Sequence, residues 1–200
     1  GELTVRTSPT ETAIDEQIEL IRQTAAEKPD VMILSAADYD RCAEATEEAI
    51  AAGIGVVAVD TDVNAGGRAC FVGSNNYQIG QEMGSQMASY LPEGGKVAVI
   101  QHMLTTTTGI DRTRGVIDAL TQAGNIEILG SYCCDNSTLR AKEITTALLE
   151  DEPDIRGFVC TNEVCNVGAA NALVELGMGG KVFVVGCDNS QRQIALLEQN

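Results

Sequence analysis

Ala52-Gly53-Ile54-Gly55-Val56-Val57-Ala58-Val59-Asp60 is the stretch on which the fold turns. Residues 38–52 before it read as a helix, and Gly53 stops that helix in the way a glycine just past the last turn does. Gly55–Val59 is then an uninterrupted apolar run, closed by Asp60. A strand with no polar alternation is buried on both faces, as in a parallel sheet sandwiched between helices. The glycines also match the string G-x-G-x-x-A. A dinucleotide site needs strand, glycine turn and helix in that order; here a helix comes first and the strand last, so no such cofactor is read.

The same unit recurs in both directions. Upstream, Ser8-Pro9-Thr10-Glu11 reads as a capping box opening a helix with Pro at its first position. Ile14, Ile18, Ile21 and Ala25 form its apolar stripe, Pro29 ends it, and Val31–Leu34 is a strand expected to be buried on both faces. Downstream, strands are expected at 69–72, 96–100, 126–132, 158–160 and 182–185. Helices are expected at 77–91, 110–123, 138–150, 164–176 and from about Gln191. With Leu3–Arg6 counted as an opening strand, about eight strands alternate with helices, an α/β chain of doubly wound parallel sheets. Glu27-Lys28-Pro29-Asp30 and Glu152-Pro153-Asp154 each lead into a strand, an echo that suggests two similar lobes. The polar break Ser74-Asn75-Asn76 divides them into an N-terminal lobe, 1–74, and a C-terminal lobe, 75–200.

Composition narrows the function. Across 200 residues, 13 Lys and Arg face 29 Asp and Glu, a net charge of −16. No basic stripe offsets it, so this segment is not expected to bind nucleic acid. Its apolar runs are strand-sized, far short of the roughly 20 residues of a membrane span, so no membrane insertion is expected, and no signal peptide is visible. The seven cysteines are an odd number without a C-x-x-C pair, and the single His102 is remote from them in sequence. No metal site is read. Most cysteines read as small buried hydrophobes, a usage suited to a reducing or anaerobic setting, and the vicinal pair Cys133-Cys134 stands out. There is no phosphate loop and no nucleophile elbow, and a lone His gives acid–base catalysis little to work with.

Ligands of open parallel sheets bind beyond the carboxyl ends of the strands. The residues there are Ser35 to Asp38, Asp60-Thr61-Asp62, Ser74-Asn75-Asn76, Gln101-His102 with the run Thr105–Thr108 and Asp111-Arg112, Cys133 to Asn136, Thr161-Asn162-Glu163 and Cys187-Asp188-Asn189. Hydroxyls, amides and carboxylates with an Arg suit a neutral polyhydroxylated ligand. Asp38, Asn136 and Asn162 also read as helix N-caps, and His102 as a polar residue of no consequence. Asp60 and Asp188 close apolar strands and are the carboxylates least explained by capping.

Five stretches together carry a resemblance: Ala52–Asp60, Phe71-Val72-Gly73-Ser74-Asn75-Asn76, Asp111-Arg112-Thr113-Arg114-Gly115, Thr161-Asn162-Glu163 and Val184-Val185-Gly186-Cys187-Asp188. In order and spacing they resemble the type I periplasmic sugar-binding proteins, the ribose- and galactose-binding class that shares its core with lactose-repressor-like regulators. The resemblance implies two lobes joined by a hinge, with the ligand in the cleft between them. It implies that Asp60 and Asp188 accept from sugar hydroxyls, that Arg112 donates to ring or hydroxyl oxygens, and that Asn162 adds an amide. Ser74-Asn75 matches the first hinge crossing. Where an aromatic often stacks on the sugar, this chain has Cys134. The chain opens at what corresponds to the family's second strand and stops before its last crossing, so a piece of a longer protein is expected.

The resemblance therefore implies a non-enzymatic receptor, without cofactor or metal, that binds a sugar or polyol outside the cytoplasm and delivers it to an ABC transporter permease. The alternative is the sensing domain of a lactose-repressor-like regulator or a sensor kinase. A third class, an enzyme using Cys160, Cys165 or Cys187, lacks a base positioned beside any of those thiols.

Overall fold

β2, Gly55–Val59, runs parallel between β1, Val31–Leu34, and β3, Cys70–Val72. In this computed structural model, which describes residues 1–198, that sheet belongs to the first of two units. Unit 1 comprises Gly1–Ser74 with Thr105–Thr108, and unit 2 comprises Asn75–Leu104 with the chain from Gly109 onward.

In unit 1, α1 (Ile14–Ala26) and α2 (Ala43–Ala51) pack against one another. Ile21 of α1 and Ala45 and Ala49 of α2 join Met32, Leu34, Val56 and Ala58 of the strands in one buried cluster. Both helices therefore serve the same face of the sheet. The opposite face of β1 is open, with Val31 55% and Ile33 66% exposed, so the expectation of a strand buried on both faces fails here. The apolar run reported strand propensity correctly, but it could not report which faces would find partners. Two further corrections apply. α1 begins at Ile14 with no side-chain cap, because Pro9 to Thr12 are taken up in a turn closed by Ala13 N–H to Thr10 O and the Ser8 hydroxyl is spent on the Thr10 carbonyl. Leu3–Arg6 forms no strand, and the described chain has seven strands.

The threonine run, expected as a loop after a strand, is tied into unit 1. Thr105 C=O accepts from Tyr39 N–H at 2.8 Å, Thr105 Oγ1 donates to Ala37 O, and Thr107 Oγ1 accepts from Asp62 N–H at 3.0 Å.

Unit 2 is doubly wound. β4 (Gly95–Gln101), β5 (Ile126–Cys133), β6 (Ile155–Cys160) and β7 (Phe183–Gly186) form a parallel sheet in the order β5-β4-β6-β7. Val97, Val99 and Val159 point to one face, where Met83 and Met87 of α3 (Asn76–Tyr90) meet Val116 and Leu120 of α4 (Thr107–Ala123). Ala98, Ile100, Phe158 and Cys160 point to the other, against α5 (Thr138–Asp151) and α6 (Glu163–Glu175). Here the apolar runs are buried on both faces, as parallel-sheet packing requires. α7 (Gln191–Glu198) follows the last strand. Among the described residues no helix is long and apolar enough to cross a membrane.

Candidate functional site

The strand order of unit 2 locates its site. β5 lies on one side of β4, while β6 and β7 lie on the other, so consecutive connections diverge between β4 and β6. Parallel sheets open a ligand crevice at the carboxyl ends of such a pair. The residues that follow those two strands are His102 and Thr161, and they are bonded to each other. His102 N–H donates to Thr161 Oγ1 at 3.1 Å, and its Nδ1 lies 2.8 Å from the same hydroxyl.

Arg112, in the second turn of α4, is anchored on this pair. Its Nη1 donates to the Thr161 carbonyl at 2.8 Å and its Nε to Asn76 Oδ1 at 2.9 Å. Two of the five guanidinium N–H donors fix the plane of the group. Its position follows from an unusually close approach of α3 and α4. A Cβ on Gly80 would stand 2.1 Å from the Arg112 carbonyl oxygen, and one on Gly115 would stand 2.2 Å from that of Tyr77. Only glycine lets the two backbones meet there.

Asp188 follows β7 with a left-handed φ of +72°, and its Oδ2 accepts from Glu163 N–H at the start of α6. Asn162 caps that helix, accepting from Cys165 N–H through Oδ1, and donates through Nδ2 to Asn136 Oδ1 at 3.0 Å. The capping expected of Asn162 is thus real. The cap of α5, however, is Ser137 rather than Asn136, because Asn136 and Asp135 both sit at positive φ in the turn before it. Asp38 acts as a turn cap, accepting from the N–H groups of Asp40 and Arg41.

Burial and the nearby Arg112 guanidinium hold His102 down to about 4, against a smaller opposing pull from Asp188. His102 is therefore neutral at pH 7. The arrangement offers cationic, amide and carboxylate hydrogen-bonding groups beside a neutral imidazole, which suits an uncharged ligand rich in hydroxyls. Among the described residues no group of three or more His, Cys, Asp or Glu could hold a metal ion.

Of the residues singled out in the sequence, unit 2 brings Arg112, Asn162 and Asp188 to the carboxyl ends of its strands. Asp60 occupies the matching place in unit 1: it directly follows β2 at φ +63°, its N–H is bonded to Val72 O at 3.0 Å, and it is exposed. Ser74 is the last residue of the first segment of unit 1, and Asn75 caps α3 by accepting from Gln78 N–H. Cys134 is a correction. It has no exposed surface and its sulfur faces Cys165 within the core, so it is not presented beside Arg112 or Asp188. His102, Thr161 and Asn76 stand among the strand-end residues of the sequence, but none of them was assigned a ligand role. The strand-end rule that selected Asp188 also selects His102; only its isolation from other titratable residues in sequence set it aside.

A family model described as the periplasmic binding protein domain matches residues 1–200. A D-ribose/D-allose-binding protein of Pseudomonas aeruginosa is 28% identical over 187 residues, which is 90% of this chain and 58% of that protein. The chain thus spans less than two thirds of that relative. The crystal structure of a sugar transporter from Clostridium phytofermentans is 30% identical, covering 94% of this chain and 69% of that one, with a TM-score of 0.86. An ABC transporter solute-binding protein from Agrobacterium vitis, solved with bound D-fucose, shares the fold at a TM-score of 0.93 and 24% identity over 98% of this chain and 69% of its own.

Proposed function

Because the chain belongs to the periplasmic binding protein domain family, we propose that it is the ligand-binding part of a sugar receptor that serves an ABC importer. The observation that carries this reading is the Arg112 guanidinium fixed at the β4/β6 divergence by Asn76 and Thr161. A group so held costs little further ordering when it donates to a ligand hydroxyl or ring oxygen. Asp188, held by the α6 backbone, accepts from hydroxyls in the same reading, and Asn162 contributes the remainder of its amide. Asp60 supplies a second acceptor from unit 1. Ser74-Asn75 acts as the hinge crossing between lobes at 1–74 and 75–200.

The family consists of extracytoplasmic solute-binding proteins, and the proposal places this chain outside the cytoplasm as a receptor without catalytic activity. The solved D-fucose complex and the D-ribose/D-allose-binding relative make pentoses and hexoses the first ligands to try. Titration calorimetry of the purified protein against such a panel tests the reading. A micromolar sugar, about −8 kcal/mol, is the expected result, and Arg112→Ala should weaken it by roughly 10- to 100-fold, the worth of a charge-assisted hydrogen bond. Binding of the same sugar at unchanged affinity by Arg112→Ala would refute the placement of the site.

A further inference from the structure

Cys134 and Cys165 are 31 residues apart in sequence, yet their sulfurs lie 3.5 Å apart in a shared hydrogen bond. Both belong to the core cluster on the α5/α6 face of unit 2, with no exposed surface. Cys134 follows β5 and Cys165 lies in the first turn of α6. The same two segments are already joined by the Asn162–Asn136 bond, so the backbone there holds the thiols in register rather than bringing them together by chance. A disulfide places its sulfurs about 2.05 Å apart, so about 1.5 Å of approach separates the observed pair from a bond.

We propose that Cys134 and Cys165 form a disulfide when the protein folds in the presence of a disulfide oxidant such as oxidised glutathione. The Cys134 thiolate attacks one sulfur of the oxidant, its S–S bond breaks, and one small thiolate leaves. The Cys165 thiol gives its proton to that leaving thiolate and displaces the second small group from the mixed disulfide as a thiolate, which takes up the proton Cys134 had released to solvent. Two protein S–H groups become one S–S bond, and the oxidant is reduced to two thiols. Either sulfur can donate in the hydrogen bond they share, so the exchange balances equally with the roles of the two thiols reversed.

Cys160 is the competitor, close enough to both to act on them electrostatically. It is the last residue of β6, still paired on both sides, with Ile100 of β4 and Gly186 of β7, and so has less freedom to move than a residue in a loop or a helix's first turn. Cys133, the vicinal neighbour, hydrogen-bonds instead to the His102 carbonyl and Asp135.

The inference does not depend on the sugar reading. The complete protein is refolded from denaturant in a glutathione redox buffer, alkylated, digested without reduction and mapped by mass spectrometry. The expected result is a dominant cross-link between the Cys134 and Cys165 peptides, with five of the seven cysteines alkylated, and a melting temperature that falls on reduction. Cys160→Ala should retain the cross-link and Cys165→Ala should lose it. Seven alkylated cysteines after oxidative refolding, or a dominant Cys133–Cys134 or Cys160–Cys165 link in the wild-type protein, would overturn it. Because the wild-type map decides, a variant that fails to fold leaves the test intact.

Discussion

Gly80→Ala perturbs the site through the Arg112 backbone and removes none of its side-chain groups. The new Cβ would stand 2.1 Å from the Arg112 carbonyl oxygen, 2.8 Å from its carbon and 3.0 Å from its Cα, whereas ordinary contact begins at 3.4 Å. The obstacle is backbone, not the tip of a flexible side chain, so α3 and α4 must part by about 1.3 Å. Alanine returns about 1 kcal/mol of helix propensity over glycine, while overpacking of this kind costs typically 1–3 kcal/mol and occasionally more. Against a backbone obstacle the cost falls at the upper end of that range, about 2–3 kcal/mol, leaving a net loss of about 1–2 kcal/mol and a melting temperature lower by roughly 2–8 °C. The displacement also carries Arg112 away from Thr161, whose 2.8 Å hydrogen bond does not survive a shift of that size. Ligand affinity should therefore fall at least tenfold. Differential scanning calorimetry and titration calorimetry on the same preparation measure both effects, with Gln78→Ala, exposed on the same helix, as the control expected to change neither. A Gly80→Ala protein as stable as wild type and binding as tightly would refute the claim that glycine contact positions Arg112.

His102 supplies a pH test. Its folded-state value of about 4 lies below the 6.5 of a free imidazole, so the unfolded chain takes up the proton first. Stability is full above pH 6.5 and falls by about 3 kcal/mol as the pH drops from 6.5 to 4; denaturant midpoints across that range check it, and His102→Gln should flatten the slope. Asn162→Ala should cost about 1 kcal/mol through loss of the α6 cap, seen in urea unfolding, together with a weaker ligand. Asp60→Gly relieves a left-handed aspartate at the expense of unfolded-state entropy, so stability should stay within about 1 kcal/mol of wild type while sugar affinity falls; unchanged affinity would remove Asp60 from the site.

Strand positions were readable because apolar runs of four or five residues between Gly, Pro and Asp leave few alternatives. Val31–Leu34, Gly55–Val59 and the strands of unit 2 all appear where the runs place them, within a few residues. What the runs cannot encode is the partner of each face: Val97 and Val31 look alike in sequence, but one is enclosed by α3 and α4 and the other is open. The capping box at Ser8 failed for a related reason, since its Pro and Glu serve a turn as well as they serve a helix. In the site, Arg112 and Asp188 were legible from position relative to strand ends. His102 and Thr161 become meaningful only when the order β5-β4-β6-β7 places them side by side, and strand order is a property of pairing, not of any one segment. Cys134 shows the opposite error, a position carried over from a resemblance although the local chain buries its sulfur in the core.

The left-handed residues separate backbone need from side-chain need. Past the ends of α2, α4 and α6 the chain uses glycine, Gly53, Gly124 and Gly177 at φ of +89°, +77° and +64°, whereas Lys28 takes that place after α1 at +53°. Where strands end, the same region of φ is occupied by Asp60, Asp135 and Asp188 at +63°, +48° and +72°. Glycine would adopt these angles without strain, whereas an L-residue pays roughly 1–2 kcal/mol, less for Asp and Asn, whose side chains can bond locally. Local bonding accounts for part of the choice at Asp188, which holds the α6 backbone, and at Asp135, which pairs with Arg140. At Asp60 the N–H bonds to Val72 O and, among the described residues, no hydrogen bond of the exposed carboxylate is seen. An exposed carboxylate held in that conformation accords with the ligand contact proposed for Asp60, and the Asp60→Gly titration tests it.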